Sequence, residues 1–251
     1  MTGLGVLLKK EIKEQLRTHK LLIVAAVFLL FGFATPLLMK YMGPLLEATA
    51  GDIVVQMPEP TAAMAIGEYA STLVQVGTLV AVLVTMGAIA RERERGLAAM
   101  VLSKPVALGA YVTAKLAAAT TTFLVSLLLG SAACYAYTVL LIEPAGISAF
   151  VAMNLLLALF FVFCLSVTLL CSSLFRSQLA AAGVALLVLI AQALLTQVPI
   201  IGDYLPAQLT GWGIGLLSGP HPAAWTALGT TVVLSAACLF LSTVVLRRKE
   251  L

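Results

Sequence analysis

Few residues of this sequence have side chains that could bind a metal or act in catalysis, and their spacing argues against catalysis. Cys164 and Cys171 lie seven residues apart, so both thiols fall on one face of a helix, where they could offer soft ligands to copper. Seven-residue spacing is also ordinary core spacing, and we favour packing over a metal site. The two histidines, His19 in a basic leader and His221 between two prolines, have no acidic or cysteine partner nearby in the sequence. We therefore expect neither a metal nor a catalytic residue on this chain.

Motifs for hydrolytic chemistry are also missing from the sequence. It contains no His-Glu-x-x-His zinc motif, no Gly-x-Ser-x-Gly nucleophile turn and no Walker A loop to cradle phosphates. The chain cannot hydrolyse ATP through a P-loop by itself. A membrane-embedded enzyme is therefore a disfavoured interpretation.

Charge is concentrated in one stretch, "ARERERGLAAMVLSKPVALG" at residues 90–109. Gly96 permits a turn after the five charges, and the apolar residues that follow predict a short helix that leaves Met100, Val101 and Leu102 near water. This helix ends before Pro105, because a residue that precedes proline disfavours the helical region. The segment is either a docking helix for a partner or a plain loop whose charges fix topology. In both cases we expect Glu92 and Glu94 to pair with the neighbouring arginines or to be exposed, with little effect on folding.

The composition indicates that transmembrane helices flank the charged stretch at residues 90–109. The chain is 61% hydrophobic and 10% charged, with a mean hydropathy of +1.08, whereas a soluble domain carries about 25% charged residues. Uncharged stretches of about 20 residues or more can each cross a bilayer as a helix, and no strand-like alternation points to a barrel. We therefore predict an all-α integral membrane protein with six transmembrane helices, at residues 21–39, 69–90, 116–142, 148–174, 178–199 and 223–246.

The orientation of these helices follows from the basic residues. With the N-terminus in the cytoplasm, all of the 15 Lys and Arg residues except Lys40 lie on the inner side. This strong positive-inside bias places both termini and the charged loop in the cytoplasm. The net charge of +4 is then a sign of sidedness, and we expect no nucleic-acid partner.

Two further segments have alternative interpretations. Residues 4–19 place Leu8, Ile12 and Leu16 on one face, which favours an amphipathic helix in the inner interface over a merely solvated leader. Residues 200–222 are too apolar for an exposed loop and too rich in Gly and Pro for one continuous helix. They form either a re-entrant pair of broken helices or an interfacial loop anchored by Tyr204 and Trp212.

The charged loop, together with the leader "KEIKEQLRTHKLLI" at 10–23, resembles the membrane subunit of ABC-2 type transporters. That family has Glu-Arg-Glu-x-Gly, a short apolar helix, a Ser-x-Pro-Val break and a Lys at the start of the third crossing. The matching residues here are Glu92, Arg93, Glu94, Gly96, Ser103, Pro105, Val106 and Lys115. The compact layout resembles permeases of the copper-processing, nitrous-oxide-reductase-maturation type. Two departures are Leu97, where Thr is usual, and Ala107-Leu108, where a Ser/Thr-Arg pair usually caps the next helix.

The resemblance implies a function as well as a layout. Residues 1–251 would form one transmembrane domain in a prokaryotic cytoplasmic membrane, acting as the permease of an ATP-driven exporter. Two such chains, or one beside a close paralogue, would assemble with two ABC ATPase subunits, which hold ATP and Mg²⁺. It also favours re-entrance for 200–222. The residues implied to couple to the ATPase are Glu92, Arg93, Glu94, Gly96, Leu97, Met100, Val101, Leu102, Ser103 and Pro105.

One other class of function remains open at this point. A secondary transporter or channel subunit would need no ATPase. The lack of charged residues at the helix centres and of an internal repeat disfavours it. The cargo cannot be read from the sequence.

Overall fold

The structure is a computed structural model that describes residues 4–49, 59–94, 107–199, 201–219 and 221–249. Over these residues the chain is helical and contains no β-strand. Six of its helical segments are long and apolar enough to cross a membrane, which confirms the predicted all-α membrane protein. The helices are α1 (Leu4–Arg17), α2 (Lys20–Thr49), α3 (Ala62–Thr85), α4 (Gly87–Glu94), α5 (Leu108–Leu141), α6 (Ile147–Leu174), α7 (Gln178–Leu195), α8 (Gln208–Gly215) and α9 (Trp225–Lys249). The second span consists of α3 and α4 together.

Several helices extend beyond the uncharged stretches from which they were predicted. Helix α2 continues past Lys40 to Thr49, through Pro36 and Pro44, into the segment between the first two predicted spans. Helix α3 starts seven residues before the predicted position 69, where Thr61 serves as its N-cap and accepts a hydrogen bond from the amide of Met64. Charged residues thus do not mark the helix ends, because a membrane helix can continue into water beyond the apolar layer.

The first two helices meet at a sharp turn. Helix α1 ends at Arg17, and His19 takes a left-handed conformation with a φ of 58°. Such a residue commonly ends a helix, and histidine adopts this region more often than most residues. His19 is therefore a structural turn residue between the amphipathic helix α1 and the first span α2.

The fourth span lies at the centre of the bundle. Helix α6 is buried over 72% of its most apolar stretch, compared with 17% for α9. Its Phe161 packs against Phe28 of α2 and Phe123 of α5, with ring centroids 5.7 and 5.6 Å away. Cys134, Cys164 and Cys171 are buried free thiols, and Cys238 is half-buried. The core is thus apolar, and Cys164 and Cys171 belong to it.

Helices α2 and α5 approach so closely that their backbones touch. A Cβ atom on Gly130 would lie 2.7 Å from the carbonyl oxygen of Phe28, and one on Gly32 would collide with the carbonyl oxygen of Gly130. Small residues at such crossings let two membrane helices come into van der Waals contact. This contact holds the first and third spans together near the middle of α2.

Between the fifth and sixth spans the chain forms short helices and no continuous one, whereas its Gly- and Pro-rich composition left both broken helices and an interfacial loop open. A 3-10 turn at Gly202–Tyr204 precedes α8, whose Leu209 and Trp212 are buried. Leu209 and Trp212 form a small apolar cluster with Leu156 of α6 and Ala227 of α9. The segment therefore packs on protein as broken helices.

Candidate functional site

A buried lysine connects three helices at one end of the bundle. Lys115 lies in the second turn of α5, and its side chain is only 3% exposed. Its ammonium group lies 2.8 Å from Glu92 Oε1 on α4 and 3.2 Å from Glu11 Oε1 on α1. Tyr111, one helical turn earlier on α5, donates its hydroxyl to Glu92 Oε2. We call Glu11, Glu92, Tyr111 and Lys115 the charge cluster.

The charge cluster is possible because each charge is compensated. A buried charge is costly unless it is paired and hydrogen-bonded, and Lys115 has a carboxylate from each of two helices. Among the described carboxylates, Glu11, Glu14 and Glu92 have oxygen atoms close enough together to hold a metal ion. The ammonium of Lys115 already bridges Glu11 and Glu92, so we interpret the group as an ion-pair network.

Glu92 corrects the expectation that the acidic residues of the loop pair with neighbouring arginines or are exposed. Its side chain is 14% exposed, and its cationic partner is Lys115, 23 positions away in the sequence. An i,i+1 neighbour on a helix points in a different direction, so Arg91 and Arg93 do not face it. Loss of Glu92 would therefore affect folding more than loss of an exposed ion pair.

The other charges of α4 also have partners in neighbouring helices. Arg93 donates to the carbonyl oxygen of Ser173 at 2.9 Å, at the end of α6. Gln178, at the start of α7, accepts from Arg91 Nε at 3.2 Å and donates to Glu94 Oε2 at 3.2 Å. Together with the charge cluster, these bonds attach α4 to α1, α5, α6 and α7. The four consecutive charged residues at the end of the second span therefore attach this helix end to its neighbours.

A polar cavity of about 90 Å³ lies beside the charge cluster. It is lined by α1, by the end of the second span and by parts of α5 and α7. Thr85 and Gln15 line it, and within the described part of the chain their side-chain oxygens are buried without a hydrogen-bond partner. A polar space of this size admits ordered water.

The remaining predicted coupling residues lie outside the described residues. They are Gly96, Leu97, Met100, Val101, Leu102, Ser103 and Pro105, in the gap between Glu94 and Ala107. Of the predicted set, the structure places Glu92, Arg93 and Glu94, all on α4. Helix α5 resumes the chain with Ala107 as an N-cap that makes no side-chain hydrogen bond, as expected where a capping Ser or Thr is replaced.

Sequence reasoning missed most of the partners. It assigned no role to Glu11, Tyr111 or Gln178, and Lys115 entered only through the family pattern, whereas Ser172 and Ser173 belong to the polar residues of the spans for which hydrogen bonds between helices are expected. A signal for Lys115 was present, because it is the last charge before 27 uncharged residues. A signal for Glu11 was weaker: it is one of two acidic residues in a mainly basic leader, next to the apolar face of α1.

The fold and this site define a multi-pass α-helical membrane protein in which a charged helix end is fixed to four other helices. Residues 6–214 match the family model described as ABC-2 family transporter protein. The match spans most of the chain, and the protein belongs to the ABC-2 transporter family, as a membrane permease component that is not itself catalytic. The chain is also 32% identical, over 220 residues and 83% of each chain, to a protein of Bacillus subtilis (strain 168) named "Uncharacterized transmembrane protein YxlG".

Proposed function

We propose that this chain is the membrane-spanning subunit of an ATP-driven exporter and that it is driven by a separate ABC ATPase through residues 91–109. In this proposal both termini and the charge cluster lie on the cytoplasmic side of a prokaryotic inner membrane. ATP and Mg²⁺ bind to the partner ATPase. The family match and the basic residues on that side support this arrangement.

The attachment of α4 to its neighbours supports the proposal most directly. Helix α4 is the last described element before the predicted docking residues, and each of its four charged side chains is bonded to another helix. A push on residues 95–106 would therefore be transmitted to the ends of the second, third, fourth and fifth spans at once. Rigid transmission between a docking segment and a helix bundle is what ATP-driven rearrangement requires.

Two copies per transporter form part of the same proposal. ATP-driven transporters of this family pair two ATPase subunits, and one copy of this chain carries one docking segment. Over the described residues, Phe28, Phe123 and Phe161 fill the centre of a single bundle. A substrate path therefore fits better between two copies, or between this chain and a close paralogue, than through one.

The narrower resemblance to copper-processing and nitrous-oxide-reductase-maturation permeases rests on layout alone. Six spans without a large external domain are the shared feature. We include export by a permease of this compact type in the proposal and leave the cargo unassigned.

The alternative is a secondary transporter or channel subunit that works without an ATPase. Such proteins commonly carry ionisable residues near the bilayer midplane. The charge cluster lies at one end of the bundle, and within it Lys115 pairs with both Glu11 and Glu92. This position suits the joining of helices better than it suits an ion path.

Co-purification with a candidate ABC ATPase of the same organism tests the proposal. We expect the tagged chain to retain the ATPase, and we expect Leu102→Asp to weaken retention more than tenfold, because burial of a leucine contributes about 1.5–3 kcal/mol. Leu102→Met is the matched control, since it keeps an apolar side chain of similar size. Gly96→Val tests the turn in the same assay.

Either of two results would contradict the proposal. One is ATP hydrolysis by the pure, partner-free chain. The other is equal ATPase retention by wild type, Leu102→Asp and Gly96→Val, all correctly inserted, which would leave the loop as a topology anchor.

A further inference from the structure

The second span is interrupted near its charged end by a side chain from the fourth span. Helix α3 ends at Thr85 and α4 begins at Gly87. In an uninterrupted helix the amide of Ala90 would donate directly to the carbonyl of Met86. Instead, Ser172 Oγ accepts from Ala90 N at 3.0 Å and donates to Met86 O at 2.7 Å. A side chain inserted into the hydrogen-bond ladder is a known physical cause of a helix break.

The hydroxyl of Ser172 is fully used at this break. It also accepts from the amide of Ile89 at 3.1 Å, so that it makes one donation and two acceptances, which is the capacity of a serine hydroxyl. Ser172 has no exposed surface. Any shift of α4 along α6 therefore has to break buried hydrogen bonds, which is costly when no water replaces them.

A second long-range bond holds the other side of the break. Lys20, at the start of α2, donates to the carbonyl oxygen of Val84 at 3.2 Å. The backbone on both sides of Met86 is thus bonded by side chains from the first and fourth spans. The break is specified by tertiary contacts, because the sequence around it contains Gly87 but no proline.

Neighbouring hydroxyl groups of α6 behave differently. Ser173 donates to the carbonyl of Leu170, and Ser166 and Thr168 donate to carbonyls of their own helix. These are ordinary intrahelical bonds of serine and threonine in helices. Ser173 is buried like Ser172 and adjacent to it, so it offers a matched control for the loss of a hydroxyl.

The position of the break gives α4 a place to move. Thr85, the last residue of α3 before the break, lines the polar cavity beside the charge cluster. On the opposite side of the break from α3, α4 carries the bonded charges and leads to residue 95. A change in the direction of α4 at the break would therefore redirect the chain toward residues 95–106.

We propose that Ser172 is a positioning residue for coupling: its inserted hydroxyl sets the direction in which α4 leaves the second span. The consequence for coupling rests on the proposed function, whereas the effect on the direction of α4 does not. Met86 itself keeps helical dihedrals, with φ −51° and ψ −37°, so that when the hydroxyl is absent the amide of Ala90 can bond directly to the carbonyl of Met86 and the hydrogen-bond ladder of the span becomes continuous.

Spin labels on both sides of the break test the positioning. Leu79 and Glu94 are exposed and lie on either side of the break, 15 residues apart. The label at position 94 removes the hydrogen bond between Glu94 and Gln178 in every chain compared, so the variants differ from each other only at Ser172 or Ser173. In the labelled full chain, we expect Ser172→Ala to change the distance distribution, because the hydrogen bonds of Ser172 to the backbone of Met86, Ile89 and Ala90 are lost. Ser172→Thr, which keeps a hydroxyl, and Ser173→Ala should both retain the wild-type distribution. Ser172→Cys preserves the shape with a weak hydrogen-bonding group and should give the Ser172→Ala result.

An unchanged distribution in both Ser172→Ala and Ser172→Cys would overturn the inference, as would an equal shift in Ser173→Ala. ATPase retention forms the second arm of the experiment. We expect retention to fall in Ser172→Ala and to be restored in Ser172→Thr, at unchanged membrane insertion. Failure of the wild-type chain to retain any ATPase would count against the proposed function, while the label distances would still decide the role of Ser172.

Discussion

The ammonium of Lys115 lies 2.8 Å from a carboxylate oxygen of Glu92, and the same ammonium lies 3.2 Å from Glu11, 104 positions away in the sequence. One lysine thereby joins the amphipathic helix α1, the end of the second span and the start of the third. All three side chains are largely removed from solvent. The arrangement makes Glu92, at the charged end of the second span, part of the protein interior.

Loss of the Lys115 charge should destabilise the protein strongly. Lys115→Met leaves the carboxylate of Glu92 without its cation in a buried site and leaves Glu11 with only the half-exposed Lys10, and breaking a buried pair costs about 3–5 kcal/mol. Lys10→Met is the matched control, because Lys10 is half-exposed and pairs with the same Glu11 at 3.6 Å, so its loss should cost about 1 kcal/mol or less. Denaturant titration in mixed micelles measures both.

Neutralising the partners should restore stability. The triple variant Glu11→Gln, Glu92→Gln, Lys115→Met removes all three charges and should recover most of the loss seen in Lys115→Met. Equal stability of Lys115→Met and Lys10→Met would show that the charge cluster contributes no more than a surface pair.

A capping side chain at position 107 should stabilise α5. Ala107 has N-cap geometry, with φ −65° and ψ 127°, but makes no side-chain hydrogen bond to the first turn. Ala107→Ser supplies an acceptor for a free amide and should add about 0.5–2 kcal/mol to the free energy of unfolding. Ala107→Val is the control without a capping group. The prediction fails if the serine variant unfolds at the same denaturant concentration as the valine variant.

The contact between α2 and α5 should not tolerate a methyl group. Gly32→Ala places a Cβ against the carbonyl oxygen of Gly130, and overpacking of this kind costs about 1–3 kcal/mol. A Cβ atom on Gly183 of α7 would meet no other atom within 4 Å, so Gly183→Ala should be neutral or slightly stabilising. Thermal unfolding of the two variants in detergent compares them directly. Similar midpoints would mean that the two helices separate easily.

Single cysteines should report the orientation of the chain. Glu59→Cys and Arg248→Cys both replace exposed residues, whereas the native thiols are buried or half-buried and give little background. In intact cells an impermeant thiol reagent should label position 59 and should reach position 248 only after lysis. Labelling of position 248 from outside would reverse the orientation and remove the charged loop from the cytoplasm.

The spans could be predicted from the sequence because the apolar thickness of a bilayer sets the length of an uncharged run. Helix ends were harder to predict. Lys115 comes directly before the uncharged run 116–142, yet α5 begins earlier, at Leu108. The helix can include the lysine because its side chain is buried and paired instead of solvated. Glu68 and Lys40 misled in the same direction, since both lie inside helices that are longer than the uncharged runs.

The connections among distant residues could not be predicted from one sequence. The sequence around Met86 contains no strong helix breaker, and Ser172 reaches the break from a span that begins more than 60 residues later. Its neighbours Ser173 and Thr168 have the same polar chemistry and bond within their own helix. Only the packing of α6 against α4 distinguishes them.

The order of the charge cluster along the chain has a consequence for synthesis. Glu11 and Glu92 both precede Lys115, and a nascent chain emerges from its N-terminus. Both carboxylates are therefore available before the ribosome delivers the lysine to the membrane. Lys115 can therefore pair with both of them as soon as the third span is in place, whereas the two carboxylates have to wait for their shared cation.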